Sequence, residues 1–188
     1  MYEQFGKRTL DIVLSLAAIA VLSPVIALTA AVIILSDGWP ALFRQLRVGR
    51  NGAPFTIYKF RTYPIGTPDL PSADAATLTP TRLGRFLRRT NLDEIPQLFN
   101  ILVGDMSLVG PRPGLPSQVT QARIRRENGA VRLRPGLTGL AQIRGRDAMP
   151  ESEKAMHDGE YAANVSLAAD LSILFRTARF ILGRPPVY

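Results

Sequence analysis

Residues 12–36 read IVLSLAAIAVLSPVIALTAAVIILS, a run that contains no charged side chain. A straight helix of these 25 residues would be about 37 Å long, which is enough to cross the ~30 Å hydrocarbon core of a bilayer. The run is too long for a cleaved signal peptide, and no small-residue cleavage site follows it. The segment therefore predicts insertion into a membrane.

The centre and the flanks of this run bear on how it enters the membrane. Pro24 lies near the middle, where it removes a backbone hydrogen bond that the hydroxyl of Ser23 can replace in part. Basic residues flank the run on both sides, at Lys7, Arg8, Arg44, Arg47 and Arg50. Because basic flanks prefer the cytoplasmic side, a re-entrant helix that turns at Ser23-Pro24 fits them. A kinked single span stays open as the alternative.

The composition of the 188 residues limits the chemistry that the chain can perform. A net charge of +8 favours polyanionic partners, namely nucleic acid, anionic lipid head groups or phosphorylated substrates. The absence of cysteine and the single histidine, His157, exclude thiolate catalysis, Cys-ligated zinc and a multi-histidine metal site. His157 itself is expected to be structural or on the surface. The catalytic groups that remain are carboxylates, hydroxyls, Lys and Arg, with or without a hard metal ion.

The region after the apolar run begins with the pattern of a β-hairpin. Residues 41–48 and 54–62 look extended around the turn Gly49-Arg50-Asn51-Gly52, and Asn-Gly is a strong turn signal. Alternation places Lys59 and Arg61 on one face of the second strand, where both could reach the same phosphates. Basic residues on a half-exposed strand are also commonly just solvated.

The remainder of the chain is predicted to be mostly helical. Residues 63–80 carry four prolines and are expected to form a mobile loop. Helices are expected at residues 81–89, 91–102, 117–131 and 161–182, and a rigid loop at residues 133–145. Asn91 and Glu94 have the spacing of a capping box at the start of the second helix.

Asp93 and Glu94 form the most informative polar pair. A phosphate bound at a helix N-terminus is held by free N–H groups and the helix dipole, and the upstream Arg85, Arg88 and Arg89 could clamp it. A carboxylate beside a bound diphosphate can attack phosphorus, and a second one can hold a divalent cation such as Mg²⁺. The simpler alternative is a capping pair with solvated arginines. Asp170, in the otherwise apolar residues 167–175, would by the same reasoning be a surface carboxylate.

In this order, the motifs along the chain resemble one family, the bacterial sugar transferases, which are small monotopic polyprenyl-phosphate phosphoglycosyl transferases. The matching motifs are Lys7-Arg8, Ser23-Pro24, YKFRT at 58–62, LGRFLR at 83–88, LDEIPQL at 92–98, GDMSLVGPRP at 104–113, RPGLTG at 134–139 and SLAADL at 166–171. The chain departs from the family pattern at Tyr63, where methionine is common, and at Leu140, where tryptophan is usual. Neither departure is expected to touch the chemistry.

The resemblance implies a covalent mechanism. Asp93 would attack the β-phosphate of a UDP-sugar, release UMP and carry the sugar phosphate until polyprenyl (undecaprenyl) phosphate accepts it. Glu94 would bind or help to place Mg²⁺, and Asp170 is a candidate for a later acid/base role. The residues expected to hold substrate phosphates are Lys59, Arg61, Arg85, Arg88 and Arg112.

The resemblance also implies the architecture and the location. Residues 1–36 would be a membrane anchor, a re-entrant helix broken at Ser23-Pro24, and residues 37–188 a cytoplasmic catalytic domain. The fold class is then α+β and mainly helical, with the anchor, a β-hairpin and a helical catalytic core with interfacial helices. The expected location is the cytoplasmic face of the bacterial inner membrane. Inner-membrane lipid is the expected partner, nucleic acid is not, and a homodimer stays open.

Two rival functions have distinct signatures. A membrane-anchored adaptor that binds anionic lipid or nucleic acid through its arginines would need neither the carboxylate pair nor Mg²⁺, and salt would abolish its binding. A glycosyl transferase of another type would release UDP instead of UMP. The nucleotide that is released therefore separates the two enzymatic readings directly.

Overall fold

The structure, a computed structural model, describes residues 2–67, 78–145 and 149–183. Its helices are Lys7–Asp37 (α1), Arg82–Thr90 (α2), Gln97–Val103 (α3), Val119–Glu127 (α4), Leu140–Arg144 (α5), Glu151–Ala163 (α6) and Leu167–Gly183 (α7). Its strands are Leu42–Val48 (β1), Pro54–Phe60 (β2), Ser107–Val109 (β3) and Gly136–Thr138 (β4). A mainly helical fold with a small antiparallel hairpin is thus confirmed. Most of the loop expected at residues 63–80 falls in residues 68–77, outside the described residues.

Helix α1 contains the apolar run. Together with the turn that precedes it, it is the one helix of the described ranges that is long and apolar enough to cross a membrane. Polar side chains are buried at its start, where Lys7, Asp11 and Ser15 recur every four residues on one face. At Pro24 the helix continues, and the hydroxyl of Ser23 donates to the carbonyl oxygen of Ala20 at 2.9 Å.

Both halves of α1 pack against the rest of the chain. Before Pro24, three of its side chains contact the larger apolar cluster, namely Ala18, Ile19 and Leu22. After Pro24, a smaller cluster is built from Ile33, Ala41, Phe60 and Leu87, and Ile26, Ala30 and Ile34 pack against it. Most other α1 side chains are exposed or half-buried. One face of the helix therefore lies against the domain, while a broad apolar face is exposed, as at a membrane or partner contact.

The hairpin forms as the sequence predicts. β1 and β2 pair antiparallel, with Leu42 opposite Phe60 and Val48 opposite Pro54. Asn51 at φ 56° and Gly52 at φ 82° supply the left-handed residues that the turn requires. The register carries Lys59 to the end of the hairpin nearest to α1.

The prediction of a rigid loop at residues 133–145 is wrong, because this stretch contains β4 and α5. β4 pairs in parallel with β3, Ser107 lying opposite Gly136 and Val109 opposite Thr138. A Cβ atom on Gly136 would lie 2.1 Å from the backbone nitrogen of Gly110, so only glycine permits the approach. The glycines that resemble loop signals are thus requirements of close strand packing.

Three helix boundaries also differ from expectation. Asn91 has a left-handed backbone (φ 56°) and ends α2, so the capping box with Glu94 is wrong and α3 begins only at Gln97. The helix expected at 117–131 is shorter, because α4 ends at Glu127 and a separate single turn follows. The final stretch begins earlier than expected and consists of two helices, α6 and α7.

Candidate active site

Asp93 and Glu94 lie on a single 3₁₀ turn, Leu92–Glu94, between α2 and α3. The turn is fixed by backbone hydrogen bonds from Glu94 N to Asn91 O and from Ile95 N to Leu92 O, both 3.2 Å. Only 9% of Asp93 is exposed. The pair therefore lies in a rigid connection rather than at the start of a helix, and its partners come from other elements.

Glu94 is held by two basic side chains. Lys59 on β2 donates from Nζ to its Oε1 at 2.7 Å, and Arg112, in the loop that follows β3, donates from Nη2 to the same oxygen at 3.4 Å. Three separate segments of the chain therefore converge on one carboxylate. Charge-assisted hydrogen bonds of this kind favour the ionised form of the acceptor.

The two carboxyl groups titrate in opposite directions. Burial, with a smaller contribution from the charge of Glu94, raises the pKa of Asp93 to about 6, against the lowering effects of Lys59, Arg88 and Arg112. Burial also opposes ionisation of Glu94, but the charges of Lys59 and Arg112, with their hydrogen bonds, outweigh it and lower the pKa of Glu94 to about 2. Such a divergence between neighbouring titratable groups is characteristic of sites that assign them different chemical roles.

Arg88 approaches the pair from α2. Its guanidinium carbon lies 5.3 Å from the centre of the Tyr63 ring, and its Nη1 donates to the Tyr63 hydroxyl at 3.1 Å. Tyr63, one of the two departures from the family pattern, thus contacts a cation whose charge lowers the pKa of Asp93. The sequence did contain a signal for this contact, because a tyrosine stands at position 63, directly after a matching motif, where methionine is common in the family.

Two of the expected phosphate-binding arginines point elsewhere. Arg61 is buried and donates from Nη2 to the carbonyl oxygens of Asp37 at 2.9 Å and Gly38 at 2.7 Å, so it holds the end of α1. Arg85 is exposed on α2 and forms no hydrogen bond or ion pair with Asp93 or Glu94, both of which the structure describes. The structure therefore brings Lys59, Arg88 and Arg112 together at the pair, but not Arg61 or Arg85.

Asp170 lies in a buried polar network at the start of α1. It is 1% exposed and accepts hydrogen bonds from Tyr2 Oη at 2.6 Å, Lys7 Nζ at 2.7 Å and Tyr161 Oη. The interpretation of Asp170 as a surface carboxylate is wrong. In the described part of the chain its partners belong to this network and not to the Asp93–Glu94 pair.

Asp11 is a second buried carboxylate that sequence reasoning missed. Its Oδ1 accepts from Ser107 Oγ at 3.0 Å and from the Leu108 backbone N–H at 2.9 Å. It thereby ties α1 to β3, the strand whose following loop carries Arg112. Its position, the last charge before the apolar run, was the available signal.

The chain matches proteins of one family over almost its whole length. A family model described as bacterial sugar transferase matches residues 2–184. A protein of Caulobacter vibrioides named UDP-glucose:undecaprenyl-phosphate glucose-1-phosphate transferase is 42% identical, over 97% of this chain and 72% of that protein. The undecaprenyl-phosphate galactose phosphotransferase of Salmonella typhimurium is 37% identical over 99% of this chain, which spans only 42% of that protein. An uncharacterized sugar transferase of Bacillus subtilis is 39% identical over 94% of this chain and 87% of its own length.

Proposed function

The chain belongs to the bacterial sugar transferase family, and from this premise we propose that it transfers a sugar 1-phosphate from a UDP-sugar to undecaprenyl phosphate and releases UMP. The names of its relatives support the substrate classes. The observation that carries the proposal is the Asp93–Glu94 pair, in which a buried carboxyl with a raised pKa adjoins an ionised carboxylate inside a group of three cations.

Asp93 is the nucleophile in this mechanism. A carboxylate oxygen of Asp93 forms a bond to the β-phosphorus, the bond from that phosphorus to the bridging oxygen breaks, and UMP leaves with the bridging oxygen. An oxygen of undecaprenyl phosphate then attacks the same phosphorus and displaces the Asp93 carboxylate. The product is a diphosphate-linked lipid sugar, and the enzyme returns to its starting state.

The cations around the pair stabilise the negative charge that the substrate phosphates bring into the site. Lys59, Arg88 and Arg112 approach the pair from three segments of the chain, and their charges would stabilise the phosphates of the substrate. Arg88 is contacted by Tyr63 and brings a third positive charge to the pair from α2. Lys59 keeps Glu94 ionised until substrate arrives.

The residues at the site fit a divalent cation. Mg²⁺ is commonly bound by one or two carboxylates together with substrate phosphates and water, so an ionised Glu94 supplies the protein ligand that this mode needs. Bound there with the diphosphate, Mg²⁺ would offset negative charge on the substrate and the leaving UMP. Excess EDTA is expected to stop UMP release and added Mg²⁺ to restore it; full turnover in EDTA contradicts this assignment.

The anchor enters the membrane and returns on the same side. Support comes from the two ends of α1, which are held by one domain: Arg8 donates to the carbonyl oxygens of Ile101 and Leu102, and Arg61 to those of Asp37 and Gly38. A helix that crosses a bilayer has its ends on opposite sides of a ~30 Å core. Exposed aromatic residues at both ends, Phe5 and Trp39, suit the interface of a single leaflet. The location proposed is the cytoplasmic face of the inner membrane.

The nucleotide product tests the proposed activity. The full chain in native membranes, given a UDP-sugar and undecaprenyl phosphate, is expected to release UMP in equal amount to the lipid-linked sugar. Release of UDP would show a glycosyl transferase of another type. Asp93→Asn should abolish UMP release, whereas Asp37→Asn, which removes the same charge at the end of α1, should not. Membrane binding without any nucleotide release by the unaltered chain would support the adaptor instead.

A further inference from the structure

Helix α2 has an inner face that is locked in place. Leu83, Gly84 and Leu87 face the protein, and Leu87 is buried in the smaller apolar cluster. A Cβ atom on Gly84 would lie 2.0 Å from the carbonyl oxygen of Thr62, so the helix lies directly on the chain that follows β2. This close contact prevents rotation of α2 about its axis, so the side chains on its outer face keep a fixed orientation relative to the protein.

The outer face combines arginines with an aromatic ring. At about 100° per residue, Arg82, Phe86 and Arg89 fall within roughly 60° of each other around the helix. All three are exposed, Phe86 to 55%. Neither arginine has a hydrogen bond or ion pair with another residue that the structure describes. Arg85 lies at the edge of this face, and Arg88 points further round, to Tyr63 and the Asp93–Glu94 pair.

The inner face of α2 connects this helix to the apolar helix α1. Leu83 and Leu87 pack with Ile33 of α1, in a cluster that Ile26 and Ala30 also join. Those α1 residues belong to the uncharged run, so α2 is attached to the arm of the helix that enters the bilayer. Trp39, at the end of that arm, is 75% exposed. Helix α2 is thus attached, through Leu83 and Leu87, to the part of α1 that the proposed anchor brings to the membrane.

We propose that the face formed by Arg82, Phe86 and Arg89 docks on the anionic phospholipid surface of the membrane. Arginines that flank an exposed aromatic side chain on a short amphipathic helix suit such a surface, because the ring enters the acyl boundary while the guanidinium groups bind lipid phosphates. The proposal rests on the membrane position proposed for α1 and not on the chemistry at Asp93.

The charge and the orientation of the outer face of α2 favour a lipid surface, and not a substrate, as its binding partner. The site cations Lys59, Arg88 and Arg112 face Glu94 and Asp93, whereas the outer face of α2 has no carboxylate partner among the described residues. A soluble nucleotide sugar gives an exposed phenyl ring no apolar environment, while a bilayer does. Docking of α2 would also fix the height of Arg88, on the same helix, above the membrane in which the lipid acceptor is held.

Fluorescence of the full chain tests the proposal. Trp39 is the only tryptophan, so Trp39→Phe with Phe86→Trp places a single reporter on the outer face. In vesicles of phosphatidylcholine with brominated acyl chains, raising phosphatidylglycerol from none to about 30% should increase quenching of the reporter severalfold, and high salt should reverse it. Adding Arg82→Gln and Arg89→Gln should lower the lipid-dependent response roughly tenfold.

A matched control removes two charges elsewhere. Arg123→Gln with Arg126→Gln takes the same charge from the exposed face of α4 and should leave the lipid response intact. Quenching that ignores phosphatidylglycerol, or that falls equally in the control, overturns the proposal. So does a response that appears only with undecaprenyl phosphate, because the face would then bind the acceptor.

The same samples separate this proposal from the proposed activity. UMP release measured in detergent should be unchanged by Arg82→Gln with Arg89→Gln; a large loss there would place the face in the catalytic site and overturn the docking role. Absence of UMP release in the unaltered chain would instead contradict the activity, while the lipid response would still stand.

Discussion

At the scale of single residues, Lys59 affects the pKa values of two adjacent carboxyl groups, Asp93 and Glu94. It donates to Glu94 at 2.7 Å and keeps that group ionised, while its charge also limits the rise in the pKa of Asp93. A raised pKa makes the Asp93 carboxylate a better nucleophile once ionised, but leaves less of it ionised at low pH. After burial, Lys59 has the largest influence on the pKa of Asp93, and so on the pH at which the nucleophile becomes available.

The pH dependence of the first half-reaction follows from this arrangement. Because Asp93 must be ionised to attack and its pKa is about 6, kcat/KM for the UDP-sugar should rise with pH up to about 6 and then level off. Removing the positive charge with Lys59→Met should raise the pKa of Asp93 and move the rise to higher pH. Lys154→Met on α6 should not move it. A rise at the same pH in Lys59→Met, or a rate that falls across this range, contradicts the role of Asp93.

The sequence could predict which residue types form the site better than where each would lie. Asp93, Glu94, Lys59, Arg88 and Arg112 all come from motifs, and the structure brings them together. Arg61 shares a strand face with Lys59 by alternation, but β2 ends at Phe60 and Arg61 turns to the end of α1. Asp170 has three donors that come from α6 and from the chain before and within α1. The positions of Arg61 and Asp170 depend on tertiary contacts, which the sequence alone does not show.

At the scale of elements, the sequence predicted structure that depends on neighbouring residues, but it did not predict the pairing of strands that are distant in the chain. The hairpin has its strands and turn within 19 residues of chain, and Asn-Gly marks the turn. β3 and β4 are three residues each and lie far apart in sequence, so no local pattern announces their pairing. The glycines at 110 and 136 that permit it are loop signals in most contexts. Asn91 likewise suits a helix start and a helix end equally well.

The contact between α2 and the chain that follows β2 predicts that one added methyl group at Gly84 has a large effect on stability. In Gly84→Ala the added Cβ would overlap the Thr62 carbonyl oxygen, since the two would be 2.0 Å apart. The helix must shift, so stability should fall by about 2 kcal/mol or more, and the displacement of Arg88 should lower UMP release further. Thermal unfolding and initial rates measure the two effects. Gly183→Ala has no neighbour within 4 Å and should change neither; a neutral Gly84→Ala would mean that α2 is not held at this contact.

At the scale of the whole molecule, the proposed anchor helix α1 packs into the same core as the rest of the chain. Both halves of α1 contribute to apolar clusters that also contain site-bearing elements, and Asp11 ties the helix to β3. The helix that is proposed to enter the membrane therefore also contacts the strand that precedes Arg112. The sequence indicated the membrane segment from its length and lack of charge, but the packing of both halves on one domain is a tertiary feature.

The position of the two ends of α1 can be tested directly, because the chain contains no cysteine. Phe5→Cys and Trp39→Cys place thiols at exposed positions at either end of the helix. Both should react with a membrane-impermeant maleimide only after the inner membrane is opened. Labelling of one position from outside intact cells contradicts the re-entrant anchor. Pro24→Leu restores a backbone donor and should shift part of the protein to a full span, in which one end labels from outside.

The most direct measurement is made on the purified full chain with a UDP-sugar and Mg²⁺ but no lipid acceptor. If Asp93 forms a covalent intermediate, the enzyme should release a burst of UMP equal to its active concentration and gain the mass of one sugar phosphate. Undecaprenyl phosphate should then discharge that mass, Asp93→Asn should show neither the burst nor the adduct, and Asp37→Asn should show both. If UMP appears only when undecaprenyl phosphate is also present and no adduct can be trapped, the acceptor attacks the UDP-sugar directly, and Asp93 is a base or a metal ligand instead.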